Sequence, residues 1–169
     1  MSTQFQRIVL KGLAAGAVMC LALGAAQAQD DRRASPRALA AKDVCTVNTA
    51  KAKAATGEVS TTSPAFVNVK NMKIPFRQSG EGCVIVSFSA EAETEGDYPL
   101  YLRVLIDGEP CPLDWNNFAL DPELAVRAMN FLCPGISPGK RVAQVQFASG
   151  EPIGAVSLNY RTMIVWFHR

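Results

Sequence analysis

The side chains best placed by type and spacing to do chemistry are carboxylates. Glu91, Glu93 and Glu95 recur at every second position, and Asp97 follows them. On an extended strand that spacing puts the side chains on one face. Such a group could offer oxygens to calcium, which takes about six to eight of them. It could also supply an acid and a base for sugar hydrolysis. The plainer reading is a solvated strand end whose like charges discourage edge pairing. Nucleophilic catalysis has little to build on. His168 is the only histidine, and it lies next to the C-terminal residue, in a segment that reads as a structural strand. No base is therefore expected within reach of a serine or cysteine. Gly80-Glu81-Gly82 lacks the Gly-Lys-Ser/Thr that completes a phosphate-cradling loop. No cofactor is implied. Trp115-Asn116-Asn117 falls in a predicted loop, where binding residues often lie. Tyr98, Tyr101, Phe118, Tyr160 and Trp166 are the other aromatics from which a sugar-stacking platform could be made. Trp115, Asn116 and Tyr98 are the ligand-binding candidates.

The elements that must hold these residues begin after a leader. Arg7 and Lys11 precede an uncharged run over residues 12–26, and Ala26-Gln27-Ala28 presents small residues at −3 and −1. This is the pattern of a cleaved signal peptide over residues 1–28. A membrane anchor is disfavoured by the Ala- and Gly-rich run and the cleavage signature. Lipidation of Cys20 is disfavoured by the bulky Met19 before it. A periplasmic or secreted protein without a membrane span in its mature form is expected. Loss of Arg7 and Lys11 also leaves the mature chain formally neutral, with 15 acidic residues balanced by as many basic ones. No basic field points to nucleic acid.

Four cysteines remain after the leader: Cys45, Cys83, Cys111 and Cys133. An even number in an exported chain predicts two disulfides. Three pairings are open. Cys45–Cys83 and Cys111–Cys133 are the expected ones, the first tying the N-terminal segment to a strong strand and the second joining a hairpin to the next strand. A zinc site lacks CxxC pairs and histidines.

Residues 29–43 are polar and without apolar periodicity, so they predict a mobile segment. From residue 44 the pattern has period two. Val84, Val86, Phe88 and Ala90 share a face, as do Leu100, Leu102, Val104 and Ile106. Ala143, Val145 and Phe147 alternate with Gln144 and Gln146, and Met163, Val165 and Phe167 with Ile164, Trp166 and His168. Asp107-Gly108, Pro134-Gly135, Ser137-Pro138-Gly139 and Ser149-Gly150 punctuate these runs as turns. A single all-β domain over residues 44–169, an antiparallel β-sandwich, is the expected fold. One helical turn is predicted over residues 121–127, with Asp121 as cap and Pro122 in the first turn.

The order of these segments resembles a group of small exported bacterial β-sandwich proteins of unassigned function, similar to a TNF/C1q-type jelly roll. It rests on Ala65-Phe66-Val67-Asn68-Val69, Val84 to Glu91, Leu102 to Gly108, Met129-Asn130-Phe131, Gly135 to Gly139, Val142 to Phe147 and Arg161 to Val165. Where such sequences often carry His-Thr-Val after the Pro-Gly turn, this chain has Lys140-Arg141-Val142. The resemblance implies a jelly-roll-like sandwich and a possible homo-oligomer, commonly a trimer, and transfers no catalytic residue. Ile164 and Trp166 lie opposite Val165 and Phe167, so both faces of the last strand are apolar, which also points to an internal strand covered on both sides. The expectation is an exported, non-catalytic module that binds an unknown ligand or assembles at a surface. A carbohydrate-binding module centred on Trp115, or a small hydrolase using Glu91, Glu93, Glu95 and Asp97, is the alternative.

Overall fold

A computed structural model describes residues 45–112, 116–120 and 122–169. They form two antiparallel sheets packed face to face. The strands are β1 (Thr49–Ala55), β2 (Val59–Thr61), β3 (Val67–Gln78), β4 (Gly82–Thr94), β5 (Leu100–Ile106), β6 (Glu109–Pro110), β7 (Asn116–Ala119), β8 (Ala125–Ile136), β9 (Gly139–Ser149) and β10 (Val156–Phe167). One sheet has the order β1-β10-β4-β8, with β2 also on β10; the other has β3-β9-β5-β6, with β7 also on β5. The pairings are nested. β1 pairs with β10, β3 with β9, β4 with β8 and β5 with β7. The chain thus behaves as one long hairpin rolled into a sandwich, a jelly-roll-like arrangement.

Alternating apolar residues bury one face of each long strand, and that burial is the main favourable term in folding. Phe88, Phe147, Phe167, Met72, Leu100, Leu102, Leu158 and Met163 are fully buried between the sheets. Two aromatic pairs cross the interface. Phe76 of β3 meets Phe167 of β10 at 5.1 Å between centroids, and Phe88 of β4 meets Phe118 of β7 at 5.7 Å. Disulfides join Cys45 to Cys83 and Cys111 to Cys133, with Cα–Cα distances of 5.4 and 4.9 Å. Among the described residues no helix is long and apolar enough to cross a membrane.

Two irregularities set which side chains face inward. In β10 the register slips between Asn159 and Thr162, and Tyr160 takes a φ of 43°. This bulge reverses the parity: Val156 and Leu158 point into the core before it, Met163, Val165 and Phe167 after it. In β3 the register slips between Asn68 and Lys73, where Asn71 has a φ of 67°. The Gln144 amide stitches this larger bulge, donating to the Met72 carbonyl at 3.0 Å and the Val145 carbonyl at 2.9 Å.

The structure departs from the sequence expectations at several places. Pro122 and Glu123 form bends, Leu124 is irregular, and strand begins at Ala125, so the described part of 121–127 holds no helical turn. Asp121 itself lies outside the described residues. Pro134-Gly135 is no turn; both residues lie within β8. An edge strand tolerates the missing proline N–H. The Ala- and Lys-rich stretch over residues 49–55, whose composition disfavours strand, is β1, held by register with β10. Finally, β4 lies between β10 and β8. Glu91 and Glu93 therefore stand on the outer face of an interior strand, and their charge guards no edge.

Candidate functional site

The outer face of the β1-β10-β4-β8 sheet is laid out by register. At one end Ala50, Trp166, Ile85 and Leu132 stand side by side across the strands. The next row is Ala52, Ile164, Ser87 and Asn130, and the next Ala54, Thr162, Ser89 and Ala128. Beyond the β10 bulge come Asn159, Glu91 and Val126, then Ser157 beside Glu93. The face therefore runs from an apolar band, through small hydroxyl-bearing residues, to an acidic end. Trp166 remains 40% exposed although β10 is an interior strand. In a two-sheet sandwich the outer face of such a strand is normally polar. Val126, at 76% exposure, is a separate apolar side chain beside Glu91 at the acidic end.

The predicted site residues are dispersed. Trp115 lies outside the described residues. Asn116 opens β7 opposite Leu102. The Tyr98 ring lies on Gly154, so close that a Cβ there would stand 2.1 Å from its Cδ2. Phe118 is buried against Phe88, and Tyr101 belongs to β5 in the other sheet, so neither shares a platform with Trp166. Glu91 and Glu93 sit on β4, while Glu95 and Asp97 follow its end. Glu95 accepts a hydrogen bond from the Ala155 N–H at 3.2 Å through its own carboxylate. Among the described residues no group of three or more His, Cys, Asp or Glu could hold a metal ion.

Two features escaped the sequence reading. His168 does reach a serine: its Nδ1 lies 2.7 Å from Ser79 Oγ. The contact belongs to a C-terminal clasp, in which the Ser79 N–H donates to the His168 carbonyl at 3.0 Å and the His168 N–H donates to Gln78 Oε1 at 3.2 Å. Packing of the two sheets brings the ends of β3 and β10, and with them residues 79 and 168, together, and spacing along the chain carries no sign of it. The second feature is Arg161, the largest fully buried side chain. Its Nη1 donates to the carbonyls of Gly57 at 2.5 Å and Leu158 at 2.6 Å, while Nε is buried without a partner. Burial holds the guanidinium below its usual pKa. Arg161 faces inward on the same side of β10 as Met163, Val165 and Phe167, and nothing in a period-two apolar pattern announces a charged side chain there.

Asp107 shows a polar residue whose turn role is legible in both views. Asp107 and Gly108, with φ of 55° and 96°, make the two-residue turn between β5 and β6. The Asp107 carboxylate then accepts from the Val142 N–H at 2.7 Å and from Arg141 Nη1 at 2.9 Å. On the same sheet Arg103 stacks over the Phe66 ring at 4.2 Å and donates to Gln146 Oε1 at 2.7 Å.

Fold and surface together define an antiparallel, jelly-roll-like β-sandwich with two disulfides. Compared with known protein families and with curated proteins, the chain matches no family model and no curated sequence.

Proposed function

We propose that the protein is an exported, non-catalytic β-sandwich module that works by binding or by assembly at the cell surface or in the periplasm. The observation that carries this reading is the apolar band Trp166, Ile85 and Leu132, with Ile164 behind it, running across β10, β4 and β8 on the outer face of their sheet. Uncovered apolar surface of this kind marks interfaces more often than it marks ordinary solvated sheet. The two disulfides are compatible with an extracellular or periplasmic location, and the leader-like residues 1–28 support the same address. A second copy of the chain is the proposed occupant of the band, and the jelly-roll resemblance makes a trimer the form to expect.

Light scattering at micromolar concentration tests this. An oligomer is expected from the wild type, and a smaller species from Trp166→Ser. Thermal melting of the variant shows whether it still folds. A wild type that stays monomeric over the whole concentration range refutes assembly through this face.

A further inference from the structure

The two sheets leave an open seam on one side, where the edge strands β1 and β3 face each other. Every charged residue on these strands is a cation: Lys51 and Lys53 on β1, and Lys70, Lys73 and Arg77 on β3. Lys140 of β9 joins them as the direct cross-strand neighbour of Arg77. All are exposed. Register shows how they are arrayed. Lys51 and Lys53 pair with the inward-facing Val165 and Met163 of β10, so their side chains leave β1 on the seam side. Lys51 Nζ crosses the seam to donate to the Pro75 carbonyl of β3 at 2.8 Å. Lys73 and Arg77 alternate with buried Met72, Ile74, Phe76 and Gln78, so they stand on the outer face of the second sheet. The cations thus wrap around the β3 edge. Beside them an open hollow of about 450 Å³ is lined by Lys53, Ala54, Ala55, Thr56 and Asn71, the last at the tip of the β3 bulge.

This clustering is not a by-product of overall charge, because acidic and basic residues are nearly balanced over the chain. Among the described residues none of the six is ion-paired; the ion pair there joins Arg141 to Asp107. Like charges directly opposite one another, as at Arg77 and Lys140, destabilise a sheet. Concentrating uncompensated cations in this way costs stability, and a bound anion would recover it.

We infer that the β1–β3 seam binds an extended acidic polysaccharide. From Lys70 to Arg77 the strand spans at most about 23 Å, a linear track suited to a chain of regularly spaced anions. All of the cations but Arg77 are lysines, which act as point charges without the planar fork that reads phosphate geometry. Neither strand exposes an aromatic side chain for stacking bases, the usual companion of single-stranded nucleic-acid grooves. The array also bends around an edge, where a lipid bilayer would meet only part of it. The chain's own N-terminal segment is a poor occupant, since Arg32, Arg33, Arg37 and Lys42 outnumber Asp30, Asp31 and Asp43. This site is separate from the apolar face that carries the proposed function, and either can fail alone.

The test is titration of the purified, disulfide-bonded protein with alginate, a polyuronate, and with heparin. Parallel arms use an oligo-dT strand and phosphatidylglycerol vesicles. Alginate and heparin are expected to bind at low ionic strength, with log affinity falling linearly as log salt rises. The variant Lys53→Gln/Lys70→Gln/Lys73→Gln/Arg77→Gln is expected to lose about 100-fold in affinity at low salt. These residues are exposed, and a melting temperature no lower than that of the wild type confirms the fold, since relief of like-charge repulsion should raise it. A variant that binds as tightly as wild type overturns the site. Absence of binding by either polysaccharide overturns the proposal, as does tighter binding of the oligo-dT or the vesicles. Salt-sensitive self-association that is lost in Glu91→Gln/Glu93→Gln would reassign the seam to the acidic end of a second copy, and so also refute it.

Discussion

A methyl group at position 154 should be among the most costly small changes in this protein. Built on Gly154, a Cβ would lie 2.1 Å from Tyr98 Cδ2 and 2.8 Å from its Cε2 and Cγ. Carbon atoms rest at about 3.5–4.0 Å, so the ring would have to retreat by more than an ångström. Its escape is restricted. Pro99, the next residue, lies against Gly150, where a Cβ would stand 2.4 Å from the proline Cγ, and the Gly150 N–H donates to the Pro99 carbonyl at 2.7 Å. Gly96 is also close to the ring, since a Cβ built there would be 3.3 Å from Tyr98 Cε2. The Tyr98-Pro99 segment is therefore pinned against two glycines, and Gly154→Ala should fall at the upper end of the overpacking range, about 3 kcal/mol. For a domain of this size that lowers the melting temperature by about 10 °C. Circular dichroism melts and urea titrations measure it. Tyr98→Ala/Gly154→Ala should be more stable than Gly154→Ala alone, with a coupling energy of about 2 kcal/mol. The reasoning is refuted if Gly154→Ala lies within about 0.5 kcal/mol of wild type, or if removing the ring brings no relief. The same contact means that loss of Tyr98 should register first as lost stability.

Arg161→Met keeps much of the side-chain volume but leaves the carbonyls of Gly57 and Leu158 without their donor. Removing the desolvated charge offsets part of that loss, so a net destabilisation of about 2 kcal/mol is expected in urea titrations; a variant more stable than wild type would show that the buried charge outweighs its hydrogen bonds. The disulfides close separations of 38 and 22 residues, and loop entropy assigns each about 3–4 kcal/mol. Cys45→Ser/Cys83→Ala should therefore melt well below wild type and no higher than Cys111→Ala/Cys133→Ala, and an unshifted melt after full reduction would contradict this account.

Much of the sandwich was legible because burial on one face imposes period two. The runs 84–90, 100–106, 143–147 and 163–167 all lie in strands with the expected faces inward. The strand over 49–55 was not legible. Its Ala and Lys residues carry no apolar alternation, and it exists because β10 offers it an edge. Pro134-Gly135 misled for a related reason. A local turn signal is a preference, and an edge strand with one free side can absorb it. The ligand-binding candidates fared differently again. Tyr98 has the composition of a binding aromatic, but its ring is occupied by Gly154, and only the fold brings residues 98 and 154 together.

By itself the sequence determined what local chemistry can determine: all-β architecture and a turn at Asp107-Gly108. Tertiary structure decided everything that depends on register. One extra residue at the β10 bulge turns Arg161 inward and leaves Trp166 outward, because parity along a strand reverses whenever a residue is added. Packing of one sheet on the other places Ser79 against His168 and sets the lysines of β1 beside those of β3 along one seam. Spacing along the chain cannot foretell such neighbours, since Ser79 and His168 stand 89 residues apart and β1 and β3, though near in sequence, belong to different sheets.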